Sequence, residues 1–590
     1  MICRIGVFSI ADTYLFIDEE KLYLLEKLQG LFKEIYIICN SQFPEQEIKK
    51  LRRFTNKIYQ NVKGYDGNRW KYIILKLYKQ GKLMKCDQLV LFNDSFLGPI
   101  FDIKYVFDEM YKKQIDFWGI TVHGNIIKDE ITWSRFLQTY FLVFEKNILS
   151  NKLFKKFWKE IALFKDYKEY EEKFEFSLTS YFEQYGFKWA VYSDTTDWEK
   201  ESAKQYISFY LLETYKMLRE KKLPVIPKYL FLNNRQTVLS YNMGNQADKV
   251  LAFVKTQTNY NVNLIYDYLI RRCNIYDLKL NLNLNYVLPL KININNLQYK
   301  KKVALFVHLF YEDLFDICLD YLKEIPKYID IYISTDTDKK AFKLKQMVWE
   351  NCFIEVCNLR GREWAAFLII HAKRITAYEY FCLIHDKKSS QLYYSSVGHS
   401  FFTSLWENAI GSENYVENIL ALFEDNPQIG IIAPPEVYHG TYFHTSIDYW
   451  TICYKETCEI LKELNVHVPI DEKKPPITLG SVLWCRRSAV RKLFDHGYLE
   501  EAFPSEPMPV DGTFNHAMER VMPYIAQAEG YYTVTVMNDE FARVDITNRN
   551  AIMHDILVRL KQVKGINLST YFEALTTLDR ILMEGNRYEE

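Results

Sequence analysis

Two short polar clusters follow apolar runs, and both carry groups able to hold a diphosphate or a sugar. Asn93, Asp94 and Ser95 come directly after the run QLVLF; His385, Asp386, Lys387 and Lys388 come directly after YFCLI. In open α/β sheets ligands sit beyond the carboxyl ends of the strands, so these positions are candidates for donor binding. Asp94 could ligate a divalent cation, magnesium or manganese, bridging a diphosphate, or could hold a sugar hydroxyl. The same Asn-Asp-Ser composition also suits an Asx-turn or a helix cap, and there is no D-x-D pair, so metal dependence stays open. Lys387 and Lys388 could neutralise phosphate as point charges and His385 could donate to it; the alternative is a solvated basic loop.

Two further clusters open helices. Gly64-Tyr65-Asp66 and Gly361-Arg362-Glu363 each precede a helical pattern, where backbone N–H groups and the positive dipole end favour anions. Their carboxylates could contact a base or ribose, or simply cap the helix. A third kind of candidate is a general base for an acceptor hydroxyl. Glu519 lies one turn after His516, on the same helix face, with Arg520 beside it as a possible phosphate ligand; a buried structural ion pair is the competing reading. Glu175 stands at the corresponding place in the first half. Gly480-Ser481 suits either an acceptor-side turn or a plain tight turn. Trp118, Trp406 and Trp484 suit core packing better than sugar stacking.

The elements that must position these residues alternate. Arg4-Ile10, Glu34-Cys39, Lys57-Val62 and Gln88-Phe92 have the apolar character of buried strands, with helical periodicity over Glu19-Phe32 and Trp70-Gln80. The pattern restarts with strands at Lys302-Leu309, Ile329-Ser334, Cys352-Cys357 and Tyr380-Ile384, and helices at Asp313-Glu324 and Trp364-Ile375. Such alternation predicts mostly parallel sheets covered on both faces. Between the halves Gly244-Ile275 is helical in pattern, and the Asn/Leu-rich stretch Leu278-Lys301 has the look of an extended connector. Spacing landmarks recur in order. Asp87 precedes Asp94 as Glu379 precedes Asp386, and Glu175 precedes Gly186 as Glu519 precedes Gly530. An internal duplication is therefore expected.

Composition removes several classes. Lys+Arg and Asp+Glu are both 75, so the chain has no basic excess for coating nucleic acid. The 11 cysteines form no C-x-x-C pair, which suits reduced thiols in a cytoplasmic chain. No signal peptide or apolar run of spanning length is visible, so membrane contact is expected to be peripheral. G-x-G-x-x-G does not follow the first strand, against a dinucleotide-dependent enzyme.

At these landmarks the chain resembles the rhamnan synthesis F family of bacterial polysaccharide enzymes. The resemblance rests on GYDGNRWK (Gly64-Lys71), FNDSFLGPI (Phe92-Ile100), DFWGIT (Asp116-Thr121) and LQTYFLVF (Leu137-Phe144) in the first half. In the second it rests on LFVHLFY (Leu305-Tyr311), DIYISTDT (Asp330-Thr337), LRGREWAAFL (Leu359-Leu368), LIHDKKS (Leu383-Ser389), IGIIAPP (Ile429-Pro435), GSVLWCRRSAV (Gly480-Val490) and DGTFNHAMERVMPYIA (Asp511-Ala526). The chain departs from the family's tendencies at Glu363, Asp386 and Phe136, where Asp, Thr and His are usual. The resemblance implies glycosyl transfer, with dTDP-rhamnose as usual donor and a lipid-linked growing glycan as usual acceptor. The expected architecture is α/β: GT-A-like domains over 1–200 and 300–550, a helical segment and linker over 201–299, and a C-terminal helical extension over 551–590. A rival reading makes one or both halves non-catalytic glycan-binding or scaffold modules.

Overall fold

The structure is a computed structural model, and it describes residues 2–128, 131–198, 208–232, 235–294, 302–388, 395–440, 450–509, 511–562 and 574–580. The chain divides into two compact units, Met1–Tyr268 and Leu269–Glu590.

Each unit is built on one mixed α/β sheet. In the first, the apolar runs Arg4–Ile10, Glu34–Cys39 and Gln88–Asn93 form parallel central strands whose residues are almost all buried. Counting the seven main strands along the chain, their spatial order is 3-2-1-4-6-5-7. The sixth, Phe141–Glu145, runs antiparallel to both neighbours, Gln88–Asn93 and Phe117–His123. The third shrinks to Ile58–Tyr59 at the sheet edge, where it pairs only with Ile37 and Ile38.

The second unit repeats this order. Starting from Val303–His308 as its first strand, the sheet again runs 3-2-1-4-6-5-7. The sixth strand, Leu483–Arg486, is again antiparallel, between Tyr380–His385 and Ile429–Ala433. The duplication expected from spacing thus holds as a repeated α/β sheet topology. Trp118, Trp406 and Trp484 are all core residues.

The middle of the chain differs from expectation. Helices Phe209–Leu212, Thr214–Glu220 and Gln246–Gln257 pack within the first unit instead of forming a separate linker. A short strand, Ile226–Pro227, pairs antiparallel with Phe96–Leu97, just after the Asn93-Asp94-Ser95 cluster. The Asn/Leu-rich stretch is not a plain connector either. It begins in helix Ile275–Asn281 and continues as strand Asn285–Leu288, which adds to the second sheet beside Tyr532–Asn538. The alternating Asn-Leu run itself, 281–285, covers the helix end, the turn and the first strand residue, and the strand reads Asn-Tyr-Val-Leu. At the far end helix Asp539–Lys561 runs straight through the boundary placed at 551.

Candidate functional site

In the first unit the carboxyl ends of the strands gather a dense ionic cluster. Gly64, at φ 94°, turns the chain into helix Asp66–Lys79. Asp66 is held by Arg69, whose guanidinium also donates to Ser9 Oγ at 2.6 Å on the first strand. Asn93 Nδ2 donates to the other Asp66 oxygen at 2.8 Å, and Asn93 Oδ1 accepts from Ser95 Oγ at 2.7 Å. The expected residues Asp66, Asn93 and Ser95 are therefore linked in one chain of hydrogen bonds.

Asp94 faces the other way. One oxygen accepts from the Ala11 N–H at 3.3 Å, and the other lies 3.9 Å from Lys21 Nζ. Lys21 is buried among three more carboxylates, Asp12 at 3.4 Å, Asp18 at 3.2 Å and Glu20 at 3.2 Å. Burial opposes the ammonium charge, but Glu20, Asp94, Asp18 and Asp12 outweigh it and raise its pKa above the ordinary lysine value. Glu20 Oε1 also binds Lys228 Nζ at 2.6 Å, and the Lys228 N–H donates to the Ser95 carbonyl at 3.0 Å. One signal in the sequence points to Lys21. Lys21, Leu25 and Leu28 fall at i, i+4 and i+7 on helix Glu19–Gln29, which sets a lysine on the buried stripe.

Glu175 closes this side of the sheet. It ends a π-helical turn, Glu171–Glu175, a form that recurs at functional sites. The Thr139 hydroxyl donates to its carboxylate at 2.8 Å. Burial pushes the Glu175 carboxyl up to about 7; the Thr139 bond pulls the other way, and the Glu171 and Asp66 charges add to the rise.

The second unit places the matching residues at the matching strand ends with different partners. Asp386 follows the fourth strand as Asp94 does, and it too binds the backbone just beyond the first strand, accepting from Phe310 N at 2.8 Å and Tyr311 N at 2.6 Å. Burial pushes its carboxyl up to about 7 in spite of these bonds. Glu363 accepts from Ser481 Oγ at 3.2 Å. Burial works against its charge, yet His385, a backbone hydrogen bond, His308 and Lys387 bring its pKa below the ordinary value.

Glu519 lies on helix Phe514–Ala528 before the last strand, as Glu175 does in its unit. Its carboxylate accepts from the Gly480 N–H at 3.0 Å. Pro523, four residues on, has no N–H to give the Glu519 carbonyl, and the Thr478 hydroxyl supplies that bond instead at 2.6 Å. The turn Thr478–Ser481 thus ties Glu363 and Glu519 to one segment. Glu519 and Lys387 both line a cavity of about 120 Å³, with Phe401, Pro434, Glu436 and Gly480 among its walls.

His385 has a defined tautomer. Its Nδ1 lies 2.7 Å from the Asp386 carbonyl, which only accepts, so Nδ1 carries the proton. Burial holds the ring's pKa below the usual histidine value, and among the described residues the buried Nε2 has no hydrogen-bond partner. With Nδ1 committed to that carbonyl, Nε2 is the ring atom left to meet a ligand, as an acceptor when the ring is neutral and as a donor when it is protonated.

Several expected ligands are engaged elsewhere. Arg362, at φ 52° beside Gly361 at φ 105°, gives its fork to Glu506 at 2.8 and 3.1 Å. Lys388 pairs with Asp313. The His516 ring bonds Thr513 Oγ1 at 2.7 Å instead of Glu519, and Arg520 is buried with a bond to the His516 carbonyl at 2.6 Å. These partners come from the loops around each helix start, which residue spacing did not reveal.

Residues 35–531 match the family described as rhamnan synthesis protein F. The chain belongs to that family. Rhamnan is a polysaccharide, and the family is described by its part in rhamnan synthesis. An uncharacterized protein, WxcX, of Xanthomonas campestris pv. campestris is 26% identical over 238 residues, 39% of this chain and 32% of that protein. The protein y4gN of Sinorhizobium fredii is 26% identical over 170 residues, 28% of this chain and 43% of that protein. The chain therefore spans under half the length of these relatives. Among solved structures, the glycosyltransferase GlyE of Streptococcus pneumoniae is similar at 11% identity and a TM-score of 0.24, over 69% of this chain and 90% of GlyE. A 4-diphosphocytidyl-2C-methyl-D-erythritol synthase is similar at 10% identity and a TM-score of 0.23, over 33% of this chain and 91% of that one.

Proposed function

We propose that this chain is a glycosyltransferase that moves L-rhamnose from dTDP-rhamnose onto a growing, lipid-linked surface polysaccharide, and that the second unit carries the transfer centre. The observation that supports it is the cavity where Glu519 and Lys387 stand on shared walls; His385, whose Nε2 has no hydrogen-bond partner among the described residues, ends the fourth strand two residues before Lys387. A transfer centre needs a base for the acceptor, a cation for the leaving diphosphate and acceptors for sugar hydroxyls, and these three groups meet those needs. Glu519 takes the proton from the acceptor hydroxyl as its oxygen bonds to the anomeric carbon. The bond from that carbon to the phosphate oxygen breaks, and the nucleoside diphosphate leaves with the electron pair, its charge balanced by Lys387. His385 Nε2 and Glu363 accept from hydroxyls of the sugar or ribose.

A second centre in the first unit is favoured by Glu175 alone, because a carboxyl near 7 is poised as a base at neutral pH. The expected acceptor places the chain at the cytoplasmic face of the membrane as a peripheral protein; among the described residues no helix is long and apolar enough to cross it. Purified protein would be tested with several nucleotide sugars and a lipid-linked or synthetic glycan acceptor. Consumption of dTDP-rhamnose with product formation supports the reading, and slow donor hydrolysis without acceptor separates an enzyme from a scaffold.

A further inference from the structure

A divalent cation beside Asp94 is what the fold class leads one to expect, and the residues present do not fit it. One Asp94 oxygen faces Lys21 Nζ at 3.9 Å, and the other accepts from the Ala11 N–H. The ammonium is not a passing surface charge. Its side chain is 1% exposed, it sits on the buried stripe of its helix, and Asp12, Asp18 and Glu20 hold it at 3.2–3.4 Å. Those are ammonium–carboxylate distances; magnesium needs oxygens at about 2.1 Å and calcium at about 2.3–2.6 Å. Among the described residues no group of three or more His, Cys, Asp and Glu side chains is arranged to hold a metal ion.

We propose that Lys21 is the resident cation of the first unit, standing in the place beside Asp94 that a divalent metal would take, so that this unit handles its ligand without magnesium or manganese. A lone buried carboxylate cluster would be strongly destabilising. A covalently tethered ammonium neutralises part of it permanently, and its four-carbon stem packs along the helix's apolar stripe at the same time. Lys228 extends the arrangement. It binds the same Glu20 oxygen as Lys21, and its backbone is fastened to Ser95. The short strand pair Ile226–Pro227 with Phe96–Leu97 brings it there from more than a hundred residues away. In the second unit Asp386 is held instead by two backbone N–H groups.

The test is manganese binding followed by electron paramagnetic resonance on the full chain, compared between wild type, Asp94→Asn and Lys21→Met. Wild type and Asp94→Asn should give the same binding isotherm, because no manganese site depends on Asp94. Loss of a manganese site in Asp94→Asn would overturn the proposal. Lys21→Met leaves the carboxylates without their cation, and its thermal midpoint should rise on adding manganese while that of wild type does not move. A folded Lys21→Met chain indifferent to manganese would also count against it, since the position would then not be a cation's place. If Lys21→Met does not fold, the wild-type and Asp94→Asn pair decides the matter unaided. None of these readouts depends on glycosyl transfer, so they stand apart from the fate of the functional proposal.

Discussion

The Glu519 carboxylate accepts a hydrogen bond from the Gly480 N–H at 3.0 Å, which anchors the candidate base to the segment ahead of the antiparallel sixth strand. The first unit has the same relationship with different chemistry, Thr139 Oγ1 to Glu175 at 2.8 Å. Replacing Glu519 by Gln keeps the shape and removes the base. Transfer should fall ~10²–10⁴-fold, the usual range for a positioned base, with circular dichroism unchanged. The same change at Glu175 should leave the second unit's transfer intact; comparing the two variants with one acceptor assigns the labour.

His385 gives a prediction about recognition rather than rate. With Nδ1 donating to the Asp386 carbonyl, Nε2 serves a hydroxyl. His385→Ala should therefore raise KM for donor or acceptor by ~10-fold, the scale of one lost hydrogen bond, while a donor sugar lacking the matching hydroxyl should show no further loss. A uniform fall in kcat with KM unmoved would place His385 elsewhere.

Glu175 makes stability depend on pH. Its folded pKa is raised to about 7, above the ordinary glutamate value of 4.5. Between these values the folded chain keeps a proton that the unfolded chain has lost, so stability falls as pH rises through the window. Above pH 7 the loss is on the order of 1 to 3 kcal/mol. Glu175→Gln should remove this slope, seen as a smaller difference between urea midpoints at pH 5 and pH 8 than in wild type. An unchanged difference would mean that the carboxyl is not raised.

Backbone strain separates the two helix-opening glycines. At Gly361 a Cβ would lie 2.4 Å from the Phe503 ring, and φ is 105°; at Gly64 it would meet the Asn68 side chain at 2.6 Å, with φ 94°. The Phe503 ring is packed in the core, whereas the Asn68 side chain can yield by giving up the 2.7 Å bond from its Nδ2 to the Ala162 carbonyl. Gly361→Ala should cost more than Gly64→Ala, each on the scale of about 1–3 kcal/mol for a strained φ, as read from thermal unfolding.

The sheets were legible because their central strands are near-continuous apolar runs, as parallel strands buried on both faces must be. Asp94 and Asp386 could be placed because each directly follows such a run. The antiparallel sixth strands were not foreseen, since an apolar run carries no direction. The run Lys57-Val62 predicts a full strand, but at the edge only Ile58–Tyr59 finds a partner. The site partners were harder still. Arg362 is occupied by Glu506 and Asp94 by Lys21, pairings that follow from the fold and not from spacing. The Pro523 gap opposite Glu519 was readable in principle, because a proline four residues after a helical residue always leaves that carbonyl without its bond.

The central claim is that the second unit transfers rhamnose through Glu519, and one measurement bears on it most directly. Purified wild type and Glu519→Gln would be given dTDP-rhamnose and a lipid-linked or synthetic glycan acceptor, with product followed by mass. The account predicts an acceptor heavier by one deoxyhexose residue with wild type and almost none with Glu519→Gln. Equal transfer by both proteins, or wild-type transfer from a different nucleotide sugar but not from dTDP-rhamnose, would contradict it.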